Sequence, residues 1–112
     1  MKTAQAVKAL AALAQDTRLA IYRLLVQQGR DGLSVGTVAQ RLDLAAPTLS
    51  FHLKELANAG MVESRQDGRF VYYSANYDQM NGLLGYLSEN CCQGENGAME
   101  CAAESPRKRK RA

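Results

Sequence analysis

Three cysteines near the C-terminal end of the chain are the residues best suited to chemistry. Cys91, Cys92 and Cys101 are the only cysteines in 112 residues. Adjacent cysteines are poorly placed for an unstrained disulfide with each other, and an odd number does not close a disulfide framework. Three thiolates without a fourth ligand suit a soft ion with trigonal or pyramidal coordination. Arsenite and antimonite have this preference because the metalloid carries a lone pair. The spacing therefore predicts a metalloid site, with As(III) as the first candidate ligand and Sb(III) as the second.

Other interpretations of the cysteines stay open. Zinc usually takes four ligands in a tetrahedral site, and Glu95 or Glu100 could supply the fourth ligand for zinc or cadmium. The single histidine, His52, lies on a helix with a different predicted role. Mercury binding, a thiol redox switch and three unliganded thiols on a tail are further alternatives. An enzyme has little support, because the chain has no P-loop, no G-x-S-x-G and no C-x-x-C motif. We therefore predict no catalytic residues and no required cofactor.

Two short helices joined by a tight connection are predicted over residues 34–59. Ser34 is placed to cap the first helix, Val35–Leu42, and Pro47 suits the first turn of the second helix. Leucines at positions 49, 53 and 56 give the second helix a narrow apolar stripe for docking on a core. Short hydroxyls, an imidazole and an amine suit a helix in the DNA major groove, where they contact base edges and phosphates. The predicted DNA-contacting side chains of this helix are Thr48, Ser50, His52 and Lys54.

A β-hairpin follows these two helices directly. We predict strands over residues 61–66 and 69–74, and Asp67-Gly68 is a strong signal for a two-residue turn between them. Arg65 and Arg69 flank the tip of this hairpin. A hairpin after a helix-turn-helix is a winged helix, and the wing reaches the DNA backbone or minor groove beside the recognition helix. Arg65 and Arg69 are therefore added to the predicted DNA contacts.

These motifs carry a close resemblance to the ArsR/SmtB family of winged-helix metal-responsive repressors. It covers residues 3–89 in order, and its most specific parts are D-T-R-L at 16–19, P-T-L-S-F-H-L at 47–53, A-G-M-V at 59–62 and G-R-F-V-Y-Y at 68–73. The resemblance implies a mainly α winged helix-turn-helix fold with a β-hairpin wing. It also implies a homodimeric repressor that binds operator DNA and releases it when a metal or metalloid binds.

The chain departs from two common ligand sites of that family. Many arsenic-sensing members carry C-V-C before the recognition helix, where residues 33–37 of this chain contain no cysteine. Zinc-sensing members use Asp, His and Glu on the last helix, and the last helix here contains no histidine. The tail resembles that of arsenite-responsive relatives whose cysteine ligands follow the last helix. The recognition helix also departs from the family, with Ala45-Ala46 and Phe51-His52 replacing the frequent Ser-Gln and His-His.

Three further helices are predicted over residues 3–14, 18–28 and 76–89. Arg18 begins the second of them. Its side chain could contact DNA or pair with an acidic side chain, and we predict a structural ion pair with an acid. Gly82 and Gly85 interrupt the last helix, where each costs about 1 kcal/mol relative to alanine. Close approach to a neighbouring helix would offset that cost, so we expect the first and last helices to form a dimer interface. Their predicted apolar faces are Val7, Leu10, Ala11 and Ala14 in the first helix and Met80, Leu83, Leu84 and Leu87 in the last.

Length and charge set the remaining expectations. The chain suits one winged-helix domain over residues 1–89, followed by a loosely ordered tail over 90–112. Nothing resembles a signal peptide or a membrane span, so we expect a cytoplasmic protein without a membrane partner. The formal net charge is +3, but five of the fourteen cationic residues lie in the block 107–111, from Arg107 to Arg111. Residues 1–106 hold nine Lys and Arg against eleven Asp and Glu, a balance of −2. DNA affinity must therefore come from local placement of charge.

Overall fold

The computed structural model describes residues 1–93, and these form a mainly α-helical winged helix-turn-helix with a three-stranded antiparallel sheet. The predicted fold class is confirmed. In this part of the chain no helix is long and apolar enough to cross a membrane. The elements in chain order are α1 (Thr3–Leu13), α2 (Asp16–Gln28), β1 (Leu33–Ser34), α3 (Val35–Leu42), α4 (Ala46–Asn58), β2 (Val62–Asp67), β3 (Phe70–Ala75) and α5 (Tyr77–Ser88).

The core lies where α2 and α4 meet the base of the sheet. Ile21 and Leu25 of α2 are fully buried, as is Met61 at the entry to β2. Tyr22 is also buried, and its hydroxyl is the one buried side-chain polar atom in residues 1–93 without a hydrogen-bond partner. Loss of solvation on burial, and secondarily Tyr77, raise the pKa of the Tyr22 hydroxyl above its ordinary value. The core is therefore apolar, with one unpaired polar group at its edge.

Local signals account for the boundaries of the helix-turn-helix. The Ser34 hydroxyl accepts a hydrogen bond from the Thr37 amide at 3.2 Å, which caps α3 as predicted. Asp43 ends α3 in a left-handed conformation (φ 54°), which aspartate tolerates better than most residues. α4 then begins at Ala46, with Pro47 in its first turn, where a missing amide proton costs no helical hydrogen bond.

The wing differs from its prediction by one residue at the turn. Asp67 pairs with Phe70, so the two-residue loop is Gly68-Arg69 and not the predicted Asp67-Gly68. Gly68 has φ +65°, and a hairpin turn with glycine at its first loop position requires this backbone conformation. The glycine determines the position of the turn, and each strand is displaced by one residue from its prediction.

A third strand, β1, was not predicted from the sequence. Its two residues pair with β3, with Leu33 opposite Tyr73 and Ser34 opposite Tyr72. Gly32, just before β1, has φ +75°, and a Cβ atom at this position would lie 2.2 Å from the Tyr73 carbonyl oxygen. Only glycine fits this close approach of two backbones.

Within the protomer, the first helix buries a face other than the apolar face predicted for the dimer interface. Its buried residues are Ala6, Ala9 and Ala12, whereas Val7 is 59% exposed and Leu10 is 41% exposed. Alanine has almost no side chain beyond Cβ, so an alanine face lets α1 pack closely on its neighbours. The larger apolar residues of α1 are left on the outer side of the protomer.

Gly32→Ala tests the close approach of β1 to β3. We expect it to lower the free energy of unfolding by roughly 2–4 kcal/mol, because the methyl group would collide with the Tyr73 carbonyl and the backbone would be strained. Urea unfolding followed by circular dichroism would measure the change. Gly36→Ala is the matched control, since a Cβ there meets nothing within 4 Å and alanine suits a helix better. Equal stability of Gly32→Ala and the wild type would contradict the described pairing.

Candidate nucleic-acid interface and sulfur pair

The recognition helix α4 presents an outer face of mainly polar side chains because its inner face is fixed in the core. Leu49, Leu53 and Leu56 are at most 1% exposed. They recur at intervals of four and three residues, which places them along one side of a helix. Thr48, Ser50 and Lys54 are exposed, as a DNA-contacting role requires. Their contact with DNA stays a prediction.

His52 lies apart from the other three predicted contacts. It is half-buried, and its Nδ1 atom lies 3.4 Å from a terminal guanidinium nitrogen of Arg18. Arg18 also donates through Nε to the Ala12 carbonyl oxygen at 2.6 Å. Arg18 is therefore structural, as predicted, but its partners are a carbonyl and an imidazole instead of the predicted acid. It joins the end of α1 to α4 through His52, whose predicted contact with bases is untested.

The two wing arginines have different environments. The Arg65 guanidinium lies over the Tyr72 ring, 4.7 Å from its centroid, and donates to the Asp31 carbonyl oxygen at 2.9 Å. Its 3.9 Å ion pair with Asp67 is exposed and therefore contributes little stability. These contacts brace the wing against the loop before β1. Arg69, at the turn, is exposed and makes no hydrogen bond or ion pair within residues 1–93. Arg69 is thus the better placed of the two to reach a phosphate.

Phe51 was not among the predicted contacts, yet it is the most prominent apolar side chain on α4. It is 57% exposed. Its ring contacts the His52 ring edge to face, with centroids 5.4 Å apart. The sequence signal was the replacement of the family's frequent His-His by Phe51-His52. By itself that replacement indicates only a departure from the family pattern.

The structure places two of the three predicted ion ligands side by side. Cys91 and Cys92 follow the end of α5 in one turn, in which the Cys91 amide donates to the Ser88 carbonyl at 3.0 Å. Their Sγ atoms are 3.2 Å apart, and both residues are half-buried. Cys101 lies outside the described residues. Within residues 1–93 there is no group of three His, Cys, Asp or Glu side chains that could hold a metal ion.

Comparisons of sequence identify relatives of this chain. A family model described as a helix-turn-helix domain matches residues 13–65. The transcriptional activator HlyU of Vibrio cholerae is 33% identical over 91 residues, covering 81% of this chain and 82% of that protein. The arsenical resistance operon repressor of Bacillus subtilis is 35% identical over 81 residues, covering 72% and 73%. The cadmium resistance regulatory protein CadC homolog of Staphylococcus aureus is 35% identical over 77 residues, covering 69% and 62%. All three are regulatory proteins, which agrees with the prediction of a non-enzyme.

Solved structures agree with these relatives. An ArsR-like transcriptional regulator from Rhodococcus sp. RHA1 superposes with a TM-score of 0.72 at 28% identity, covering 92% of this chain and 96% of that one. The homodimeric winged helix-turn-helix DNA-binding domain of Mb0332 from Mycobacterium bovis, a possible ArsR-family regulator, gives 0.63 at 26% identity, covering 91% and 88%. The chain has a winged helix-turn-helix, and its relatives are transcriptional regulators. It is therefore a DNA-binding transcriptional regulator and belongs to the ArsR family.

Proposed function

We propose that this chain is a homodimeric repressor that releases operator DNA when trivalent arsenic binds Cys91, Cys92 and Cys101, with Sb(III) as a second ligand of the same site. The observation that carries the proposal is the pair of sulfur atoms at the end of α5. The similarity to an arsenical resistance operon repressor supports the choice of ligand. That similarity by itself does not decide the ligand, because a cadmium regulator is equally similar.

The number of cysteines favours a pyramidal ion over a tetrahedral one. Zinc usually takes four ligands in a tetrahedral site. A metalloid with a lone pair takes three thiolates in a pyramidal arrangement, so three cysteines suit arsenite or antimonite better than zinc. The adjacent Sγ atoms of Cys91 and Cys92, 3.2 Å apart, can supply two of these ligands to one ion.

An apolar surface on α1 and α5 supports the homodimer. Val7, Leu10, Leu84 and Leu87 are 41–59% exposed, and α1 and α5 contact each other in the protomer. A pocket of about 290 Å³ between α2 and α5 continues this apolar surface, lined in part by Leu19 and Leu84. A second copy of the chain would cover this surface, and the structurally similar Mb0332 domain is a homodimer.

The glycines of α5 fit the same interface. A Cβ atom at Gly85 would meet nothing within 4 Å, and one at Gly82 would meet only the terminal methyl group of Met1 at an ordinary distance. The protomer itself therefore does not require glycine at either position. A helix of the partner lying close to α5 would explain both residues, whose cost in a helix is about 1 kcal/mol each.

The sulfur pair and the dimer surface share one helix, which suggests how the ligand acts. Cys91 and Cys92 lie within four residues of Ser88, the last residue of α5. Ion binding there would alter the end of the proposed dimer helix and so the spacing of the two recognition helices. A dimer reads two half-sites about one DNA turn apart, so a change in this spacing weakens binding. The ion shifts the equilibrium only by its difference in affinity for the two arrangements.

Arg69→Ala tests the wing. We expect weaker operator binding, by a similar factor for every DNA sequence, and a salt dependence whose slope falls by about 1, because one phosphate contact is lost. Fluorescence anisotropy at several salt concentrations would measure both effects. Lys2→Ala is the control, since Lys2 is an exposed cation outside α4 and the wing. An unchanged slope of the salt dependence in Arg69→Ala would contradict a phosphate contact by Arg69.

Leu87→Glu tests the dimer surface. We expect the dimer dissociation constant to rise on the order of 100-fold, because a two-fold interface contains the substitution twice and each lost leucine costs at least about 1.5 kcal/mol. Sedimentation equilibrium would measure the change. Val71→Glu is the control, an exposed apolar residue on the wing. Wild-type monomers at micromolar concentration, or a dimer unaffected by Leu87→Glu, would contradict the interface.

Single cysteine-to-serine variants test the ligand site. Reduced wild-type protein should release fluorescent operator DNA at near-stoichiometric arsenite, with little response to zinc. Cys91→Ser, Cys92→Ser and Cys101→Ser should each lose most of this response, because two thiolates hold the ion far less well than three. Ser88→Ala is the control, since Ser88 lies beside the pair and is not a predicted ligand.

The other outcomes distinguish the alternatives. Full arsenite response in all three cysteine variants would rule out the proposed ligands. Release only by zinc or cadmium would assign the cysteines to those ions. Release by peroxide without any added ion would identify thiol oxidation as the signal.

A further inference from the structure

We propose that Phe51 determines operator specificity by contacting the C5-methyl group of a thymine in the major groove. The inference rests on the proposed operator binding by α4. It adds a residue and a base that the predicted polar contacts do not include.

Phe51 lies in the middle of the outer face of α4. Each residue of a helix is displaced by roughly 100° around the axis, so Phe51 lies about 200° from Leu49 and about 200° from Leu53 in the opposite sense. Both leucines are buried in the core, whereas Phe51 is 57% exposed. Phe51 is the sixth residue of a helix that begins at Ala46, in the part of a recognition helix that contacts base edges.

The contacts behind Phe51 restrict its ring. The His52 ring meets it edge to face at 5.4 Å with an interplanar angle of 65°, a favourable aromatic geometry. His52 in turn lies 3.4 Å from the guanidinium of Arg18, which donates a hydrogen bond to the Ala12 carbonyl oxygen. A side chain held in this way loses less conformational freedom on binding than a free surface residue. The exposed aromatic ring is therefore supported by a chain of contacts from α2 and α1.

The chemistry of the ring selects the base. A phenyl ring has no hydrogen-bond donor or acceptor, so it cannot pair with the polar edges by which the other bases are read. The thymine methyl is the apolar group that the major groove displays, and phenylalanine is one of the side chains that contact it. Removing the thymine methyl group from such a contact should cost about 0.8 kcal/mol of binding free energy, which corresponds to a loss of about fourfold in affinity.

Deoxyuridine scanning tests the proposal. The DNA duplex that the wild-type protein selects from a random pool is resynthesised with each thymine in turn replaced by deoxyuridine, which lacks only the methyl group. Dissociation constants are measured by anisotropy for the wild type, Phe51→Ala and Phe70→Ala. Phe70 is the matched control, an aromatic residue 58% exposed on the wing. Thermal unfolding of each variant establishes that it is folded.

We expect at least one thymine whose replacement weakens wild-type binding about fourfold per half-site. Phe51→Ala should be insensitive to deoxyuridine at that position, while Phe70→Ala should keep the loss. The proposal is overturned if no thymine methyl affects the wild type, or if Phe51→Ala shows the same losses as the wild type. Either result leaves specific DNA binding intact. Failure to select any sequence from the pool would instead overturn the proposed operator binding, and the role of Phe51 with it.

Discussion

The burial of three leucines along one side of α4 is the constraint on which the DNA-binding surface depends. Leu49, Leu53 and Leu56 lie at the centre of a small core, and together they fix the position and the rotation of the helix about its axis. Each fully buried leucine contributes about 1.5–3 kcal/mol, a large share of the stability of a domain this small. A rotation of α4 that presented other residues to DNA would expose these leucines and therefore lower the free energy of unfolding by a large fraction. The same constraint places Phe51 outermost and turns His52 toward Arg18.

Patterns within one element were sufficient to predict most of the fold. The leucine spacing, the cap at Ser34 and Pro47 in the first turn each act over a few residues, and they fixed α3 and α4 closely. The pairing of β1 with β3 could not be predicted in this way, because Leu33 and Tyr73 are 40 residues apart and a two-residue strand has no pattern of its own. The turn was displaced because glycine, and not the Asp-Gly pair, determines which residue takes a positive φ.

The candidate site was less accessible from sequence than the fold. The contact of Arg18 with His52 joins residues of α2 and α4, and neither residue type predicts the other as its partner. The different roles of Arg65 and Arg69 depend on which of them reaches Tyr72 and Asp31, a matter of strand register. The cysteines were found from composition alone. Their arrangement at the end of α5 required the structure, and the position of Cys101 lies outside the residues described.

The pairing of β1 with β3 has a mechanical consequence. Ser34 both caps α3 and belongs to the strand that pairs with the wing, so this residue connects the helix-turn-helix to the wing. The wing cannot swing independently of the recognition helix without breaking that pairing. The recognition helix and the wing therefore move together as one rigid unit. A protein engineer who transplants a wing from a relative into this chain must transplant the segment 32–34 with it, or the new wing will lack the strand with which it pairs.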